Sequence, residues 1–383
     1  MMFLMLIIVS IVATNSNKIL AQEKQLDMIK ESYNESMAQV YNKIISQKDE
    51  EQKEESSEYG WIIKEDSNKG LVIEETEGSG KGNQFIAIQV PKTKEVYKKT
   101  GIELKNITKE NLESIENDLI EYTKEYRDDR LNKDIWYNGC GLTEDEYNSI
   151  KEKVLKEIYT NGQFWVSRYE AGSLEPRKSK DQKITVPYFK KGLYPYNYVT
   201  QKQAQELANG IQFENGIQSE NSEYKASLMF GFQYDLILKY MDVWEKEDNN
   251  LSELIKDSQD PRNSELGNFR DSEFEVKEGK YSENTVFNLT GNVEWKDIKD
   301  GYKKEKDKSV LFTTGGVEPT QNTYLCDFFG SLNEWTLEKG SDVNQVRRGG
   351  DYSFFSGVWS FRSNFDQSDW SSGFRVMLYP VEI

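Results

Sequence analysis

The chain has 383 residues, a formal net charge of −17, 13% aromatic residues and no histidine. The acidic charge argues against a nucleic-acid partner, which needs a basic surface to neutralise phosphates. Without histidine, Ser-His-Asp hydrolysis and His-ligated zinc or iron sites are excluded. The two cysteines, Cys140 and Cys326, form no CxxC pair, which excludes cysteine–zinc and iron–sulfur sites. They are expected to be buried free thiols or to form one disulfide.

The N-terminus carries an apolar run over residues 1–13, which is too short to span a bilayer unaided. Its length is typical of a signal-peptide core, and Ala21 lies where a cleavage site could follow, although the usual preceding basic residues are absent. Residues 1–22 are therefore interpreted as a signal peptide or a membrane anchor, with a buried helix as the remaining alternative. The first two interpretations predict an extracytoplasmic protein, secreted or anchored at the cell surface, whose membrane contact is confined to this segment.

Residues 23–58 are predicted to form a helical stalk and an acidic linker. Between residues 23 and 46, apolar side chains recur at the spacing of one helix face. This helix either self-associates, packs on the following domain or is an ordinary packed helix. Residues 49–58 are acidic and poor in apolar side chains, which is typical of a solvated linker.

Short apolar runs from Trp61 onward predict three strands, at 61–63, 71–73 and 85–90. Two helices follow, and the second begins at a capping box formed by Thr143 and Glu146. Their apolar positions cover residues 112–120 and 147–158.

The next part of the chain begins with a predicted strand that enters a turn, over 164–172. Thr200 and Gln203 form another capping box, and Gly210 is a helix stop signal. A strongly apolar helix is expected over 228–244. Residues 248–325 are polar and rich in turn residues, so they are predicted to be irregular. The last motifs of the chain are Gly330-Ser331-Leu332-Asn333-Glu334-Trp335-Thr336, Arg347-Arg348-Gly349-Gly350-Asp351-Tyr352 and Gly373-Phe374-Arg375.

These three motifs, in this order, together with the segments at 164–172 and 198–204, resemble the formylglycine-generating enzyme (sulfatase-modifying factor) family. The resemblance covers roughly residues 83–383. It implies an α+β fold, namely a C-type-lectin-like formylglycine-generating-enzyme-type domain with much irregular structure, preceded here by an N-terminal helix. We assign this domain to residues 59–383, with its motif core at 164–383.

The resemblance also implies a calcium site in the turn that leads into the first motif. Its ligands would be the side chain of Asp327, the main-chain carbonyls of Gly330 and Leu332, and the carboxylate of Glu334. Calcium takes about six to eight oxygen ligands at a flexible turn, and these groups supply oxygen only. The alternative is an ordinary strand turn with solvated carboxylates.

The family's oxidising members bind copper through two cysteines, and this chain has Phe354 and Trp359 at those positions. Because soft thiolates are what select copper(I), no copper and no catalytic residue is expected, as in a pseudoenzyme. Arg348 and Arg375 are expected to pair with buried carboxylates or carbonyls, a role that suits the five-donor guanidinium.

Residues 351–372 contain seven aromatic residues and seven serines. This mixture is typical of a paratope, where rigid rings supply contact area and small polar residues adapt the hydrogen bonding. Core packing is the alternative for many of the rings. The candidate ligand contacts are Tyr352, Phe354, Trp359, Asp369 and Trp370.

The sequence thus predicts a non-catalytic, surface-exposed sulfatase-modifying-factor-like domain that binds a protein or glycan ligand and is stabilised by calcium. Two alternatives stay open. One is an oxidoreductase of the formylglycine-generating type, which the missing cysteine pair disfavours. The other is a structural component of a surface or pilus-like assembly, built through self-association of the 23–46 helix.

Overall fold

The computed structural model describes ten segments, and the predictions for the signal peptide or anchor, the stalk helix, the acidic linker and Trp359 lie outside them. Within these segments the protein is a mixed α+β structure with four α-helices and several small, mostly antiparallel sheets. The described segments are 61–67, 70–126, 134–213, 224–243, 261–283, 294–317, 324–340, 345–355, 363–364 and 369–381.

The described helices and strands are numbered separately in chain order. The helices are α1 (Lys109–Tyr122), α2 (Glu144–Asn161), α3 (Gln201–Asn209) and α4 (Gly231–Val243). The strands are β1 (Trp61–Ser67), β2 (Gly70–Glu75), β3 (Gln84–Gln89), β4 (Gln163–Ser167), β5 (Gly172–Ser173), β6 (Tyr194–Pro195), β7 (Tyr224–Leu228), β8 (Phe274–Val276), β9 (Lys280–Ser282), β10 (Lys296–Asp297), β11 (Tyr302–Lys304), β12 (Leu311–Phe312), β13 (Asn333–Thr336), β14 (Val346–Arg348), β15 (Ser363–Asn364), β16 (Ser372–Phe374) and β17 (Val376–Pro380).

The largest sheet has six strands in the order β1-β2-β3-β4-β17-β7, and every neighbouring pair is antiparallel. The strands β3 and β17 are buried along their whole length, which agrees with their nearly unbroken apolar sequences. The three strands predicted from Trp61 onward are confirmed as β1, β2 and β3. The last strand in chain order, β17, lies inside the sheet between β4 and β7.

The capping boxes predicted for two helices are both present. Thr143 and Glu146 begin α2, and Thr200 and Gln203 begin α3. The helix predicted over 228–244 starts later than expected, because Leu228 belongs to β7 and α4 begins at Gly231. An unbroken apolar run does not by itself distinguish a buried strand from a buried helix.

The prediction of irregular structure over residues 248–325 is wrong for part of that range. Its described residues include β8 to β12, which pair as two small sheets with the orders β10-β9-β12 and β11-β8. Strands of two or three residues are too short to show a periodic pattern. Around them, a small core contains Val276, Val310 and Phe312.

The described segments also bear on membrane-spanning helices and on the state of the two cysteines. No helix there is both long enough and apolar enough to cross a membrane. Cys140 and Cys326 are both buried free thiols, so the structure contains no bond between them. Burial raises the thiol pKa of both, to about 12 at Cys326, and keeps the thiols protonated at neutral pH.

Candidate functional site

The three C-terminal motifs lie side by side in one sheet with the strand order β15-β14-β13-β16. Glu334 on β13 faces Arg348 on β14 and Gly373 on β16. The next residue along β13, Trp335, is fully buried and donates from its indole Nε1 to the carbonyl of Val199, 2.7 Å away. This bond fixes the first motif against the residues that precede α3.

Arg375, the last residue of the third motif, joins three distant parts of the chain. Its buried guanidinium donates to Glu334 Oε1 at 3.0 Å and to the carbonyls of Ser167, Arg168 and Cys326 at 2.6, 2.9 and 2.7 Å. The predicted structural role of this arginine is confirmed. A planar guanidinium can satisfy several carbonyls and a carboxylate at once, which a lysine cannot do.

Arg348 forms a second buried ion pair beside the first. Its guanidinium lies 2.7 Å from Asp235 and 3.4 Å from Glu338, and the side chains of all three residues are fully buried. The ring of Tyr234 lies below it, with its centroid 4.3 Å from the guanidinium carbon. This contact to α4 also confirms the structural role predicted for Arg348.

The predicted calcium ligands lie on a turn with left-handed backbone at Asp327, Gly330 and Ser331, whose φ angles are 57°, 71° and 53°. Glycine is required at position 330, because a Cβ there would lie 2.2 Å from the carbonyl oxygen of Asn268. The carboxylate of Asp327 accepts the N–H of Gly315 at 2.5 Å. The turn is therefore held against two other segments, one that carries Asn268 and one that carries Gly315.

Three buried carboxylates, those of Glu170, Asp327 and Glu334, interact around this turn. Burial raises the pKa of Asp327 to about 6 and of Glu334 to about 7, while Arg375 opposes both shifts. Burial and the charges of the other two acids raise the pKa of Glu170 well above its ordinary value. Glu170 was not among the residues predicted from the sequence. It belongs to the segment at 164–172 that was matched to the family, but no local pattern connects it to a turn so far along the chain.

The side chains at this turn carry oxygen atoms, the ligand type that a hard cation takes. Glu334 uses Oε1 to bind Arg375, while its buried Oε2 has no hydrogen-bond partner in the described part of the chain, and the same holds for Glu170 Oε2. When all three acids are ionised, they carry three negative charges, and the ion pair that they form within the described residues is that of Glu334 with Arg375. The described residues contain no cluster of three or more Asp, Glu, Cys or His side chains placed to hold a metal. A cation here would therefore depend on main-chain carbonyls, as the prediction for Gly330 and Leu332 requires.

The predicted ligand face is only partly at the surface. Phe354 and Phe355 are 65% and 53% exposed, and the guanidinium of Arg270 lies over the Phe355 ring at 5.1 Å. Tyr352, in contrast, is completely buried and packs with Leu311 and Leu332. The structure therefore places Tyr352 in the core rather than on the predicted face.

The other described members of the predicted face, Asp369 and Trp370, lie at its far end. The Asp369 carboxylate is occupied by Arg347 at 3.0 Å and by Ser371 and Ser372, so it orders the loop from within. Trp370 is half-buried, and its ring lines a narrow cleft. The structure thus separates an exposed phenylalanine pair from a cleft that includes Trp370.

Comparison of the chain with family models, with curated proteins and with solved structures finds no match in any of the three. Within the fold, hydrogen bonds of Arg375 and Trp335 join residues 167–168, 199, 326, 334–335 and 375.

Proposed function

We propose that the chain is a non-catalytic, calcium-stabilised relative of the sulfatase-modifying factors, with a C-type-lectin-like domain that binds a protein or glycan ligand outside the cytoplasm. The observation that carries the binding role is the exposed pair Phe354 and Phe355. These rings stand at the surface in the segment where the family's oxidising members have their first cysteine. Large exposed apolar side chains next to one another are typical of interaction sites.

The family assignment is supported by how the motifs meet. Four of the five segments matched to the family on sequence are joined by side-chain hydrogen bonds: Arg375 binds the carbonyls of Ser167 and Arg168 and the carboxylate of Glu334, and Trp335 binds Val199. The fifth, at 347–352, pairs with the first along β13 and β14. Motifs that matched by chance would have no reason to converge in this way. This geometry favours a shared scaffold.

The non-catalytic role is supported by the chemistry of residues 351–355. Two thiolates are needed to hold copper(I), and the chain's two thiols belong to Cys140 and Cys326, outside this segment and protonated at neutral pH. Phe354 supplies contact area and no ligand atom. This surface is therefore better suited to binding a ligand than to oxidising a substrate.

Calcium is proposed at the turn formed by Asp327, Gly330, Leu332 and Glu334. When bound, it would supply two positive charges to a buried group of acids that has one arginine. Glu334 would contribute its unpartnered Oε2, while Oε1 remains with Arg375. In this arrangement calcium has a structural role, because the turn leads directly into β13 and the sheet that carries the ligand face.

Two measurements test the proposal. Incubation with copper and a Cys-x-Pro-x-Arg peptide is expected to give no formylglycine, and its appearance would refute the non-catalytic role.

Screening on arrays of purified extracellular proteins and oligosaccharides is expected to give binding that is lost in the variant F354S/F355S. Binding that survives this double substitution would refute the proposed face, and a Val186→Ser variant, which removes another exposed apolar side chain, is the matched control.

A further inference from the structure

The exposed phenylalanine pair is joined to an arginine from another part of the chain. The main-chain N–H of Arg270 donates to the carbonyl of Phe354 at 2.8 Å, and its guanidinium carbon lies 5.1 Å from the centre of the Phe355 ring. All three residues are exposed. They therefore form one composite surface, which we call the arginine–phenylalanine patch.

The main chain at Arg270 is held in place by buried side chains. Its carbonyl accepts from Nζ of the buried Lys304 at 3.2 Å, and the same amine donates to the carbonyl of Ser272 at 2.8 Å. The hydroxyl of Ser272 accepts the N–H of Phe269 at 2.8 Å and donates to the carbonyl of Gly267 at 2.6 Å. The patch is therefore preformed, and a preformed surface loses less conformational freedom when it binds a ligand.

Arg270 differs from the other arginines in how its donors are used. The other arginines whose side chains the structure describes all donate to carbonyls or carboxylates, namely Arg168, Arg177, Arg347, Arg348 and Arg375. The guanidinium of Arg270 makes no hydrogen bond and no ion pair within the described residues, and its contact there is with the ring of Phe355. An aromatic ring occupies the face of a guanidinium and leaves the N–H donors at its edge free.

These free donors indicate the charge of the ligand. The fork of donors on a guanidinium matches the two oxygens of a carboxylate, which it binds with two parallel hydrogen bonds. Glu273, a nearby acid along the chain, lies 2.8 Å from Lys303 and is thereby paired already. A carboxylate for Arg270 is therefore expected from the ligand, next to an apolar group that covers the two phenylalanines.

The polar side chains next to the phenylalanines favour a peptide over a sugar. Ser353 donates to the carboxylate of Asp351, and the same carboxylate accepts from the amide of Asn333. These polar groups already bond to one another, whereas each hydroxyl of a sugar both donates and accepts and needs partners of its own. An apolar side chain next to one carboxylate needs no more than the rings and Arg270 supply.

We propose that the arginine–phenylalanine patch binds a peptide segment of a protein ligand in which aspartate or glutamate lies beside an aromatic or aliphatic residue. The carboxylate pairs with the guanidinium of Arg270, and the apolar side chain lies on Phe354 and Phe355. The inference rests on the proposed binding function and selects its protein form.

The test uses the full chain and three acetylated and amidated peptides, Gly-Phe-Glu-Leu-Gly, Gly-Phe-Gln-Leu-Gly and Gly-Phe-Lys-Leu-Gly. Their Kd values are measured by saturation-transfer NMR at low salt. The glutamate peptide is expected to bind about fivefold more tightly than the glutamine peptide, as a partly exposed ion pair allows, and the lysine peptide should bind most weakly. Raising the salt concentration should reduce the preference for glutamate.

The variant Arg270→Gln separates the carboxylate contact from the apolar one. It should bind the glutamate and glutamine peptides equally, because the group that distinguishes them is gone. Lys105→Gln is the matched control, since it removes one exposed positive charge from the loop before α1 and should keep the preference. Thermal melts of both variants show whether they are folded.

Four outcomes would overturn the proposal. The first is that no peptide binds at millimolar concentration, and the second is that the glutamine or lysine peptide binds the natural protein as tightly as the glutamate peptide. The third is that the preference for glutamate survives in Arg270→Gln, which would place the carboxylate elsewhere. The fourth is that N-acetylneuraminic acid, an acidic sugar, binds more tightly than every peptide.

The proposed function can stand if this inference fails. A partner found on the arrays whose binding is lost in F354S/F355S but is unchanged in Arg270→Gln would confirm the phenylalanine face without the carboxylate contact.

Discussion

Three neighbouring aromatic residues, Tyr352, Phe354 and Phe355, have opposite surroundings although they follow one another in a single short segment. Tyr352 is buried against Leu311 and Leu332, whereas both phenylalanines are mainly exposed. The sequence predicts both Tyr352 and Phe354 on the ligand face, because composition alone shows which rings are present and not which way the chain turns. At the scale of single residues, burial therefore decides which predicted contacts remain available.

This difference predicts the stability of substitutions in the segment. Phe354→Ser and Phe355→Ser should each change the free energy of unfolding by about 0.5 kcal/mol or less, as exposed residues do. Tyr352→Ala should cost about 3–5 kcal/mol, the range for buried aromatic residues. Urea denaturation of the three variants measures this directly, and a loss of several kcal/mol at Phe354 would show that its ring belongs to the core.

Glu334 is the residue on which the calcium proposal depends most. We expect calcium to raise the melting temperature of the natural protein, because a ligand that binds only the folded state stabilises it by mass action. Glu334→Gln should remove most of that increase. The comparison is best made at pH 8, where Asp327 and Glu334 are ionised, since protons compete with a metal for the same oxygens.

A matched control is Glu338→Gln. Glu338 is also a buried carboxylate paired with an arginine, but its partner is Arg348 rather than Arg375. Both variants replace a buried carboxylate that faces an arginine by a neutral amide, so each is compared with its own calcium-free melting temperature. Only Glu334→Gln should lose the response to calcium, and an unchanged melting curve of the natural protein between chelator and millimolar calcium would contradict the site.

At the scale of elements, β14 is fixed to α4 by the buried contacts of Arg348 with Asp235 and Tyr234. Removing one partner of a buried ion pair leaves the other charge without compensation. Arg348→Met should therefore cost about 3–5 kcal/mol in urea denaturation. Lys124→Met, which breaks the exposed pair with Glu121, should cost far less, and similar losses in both variants would contradict a structural role for Arg348.

Helices and strands could be predicted from the sequence when they were long enough to show a periodic pattern or began with a recognisable cap. The helices α2 and α3 were predicted with their first residues, because each begins with a threonine whose capping box is visible in the sequence. The strands β8 to β12 were not predicted, because two or three residues cannot show alternation. The pairing of β13 with β14 and β16 depends on long-range register, although the motifs that form these strands were all recognised.

At the scale of the whole molecule, the buried acids predict a pH dependence of stability. The folded pKa values of Asp327 and Glu334, about 6 and about 7, lie above the ordinary values near 4 that apply to the unfolded chain. Between these values the folded state binds more protons than the unfolded state, so stability falls as pH rises. In calcium-free buffer, the free energy of unfolding should therefore increase as the pH is lowered from about 8 to about 5.

The groups around Asp327 and Glu334 include both signs of charge. Arg375 lowers both pKa values, Lys191 lowers that of Asp327, and the charge on Asp327 raises that of Glu334. Burial is the largest cause, so the net shifts remain upward. Denaturation at several pH values should show a smaller slope for Glu334→Gln than for the natural protein, and equal slopes would show that other groups dominate this pH range.

The position of β17 inside the six-stranded sheet has a consequence for biosynthesis. Both neighbours of β17, β4 and β7, leave the ribosome before residues 376–380 do, and until then each has an unpaired edge that can join with other chains. Arg375, which ties the motif sheet to β4, is made immediately before β17. A nascent chain interrupted before this point lacks both the interior strand β17 and the arginine that joins the two sheets. Completion of the sheet therefore separates chains that contain β17 from chains that stop before it, whose open edges are the kind of surface that chaperones and proteases recognise.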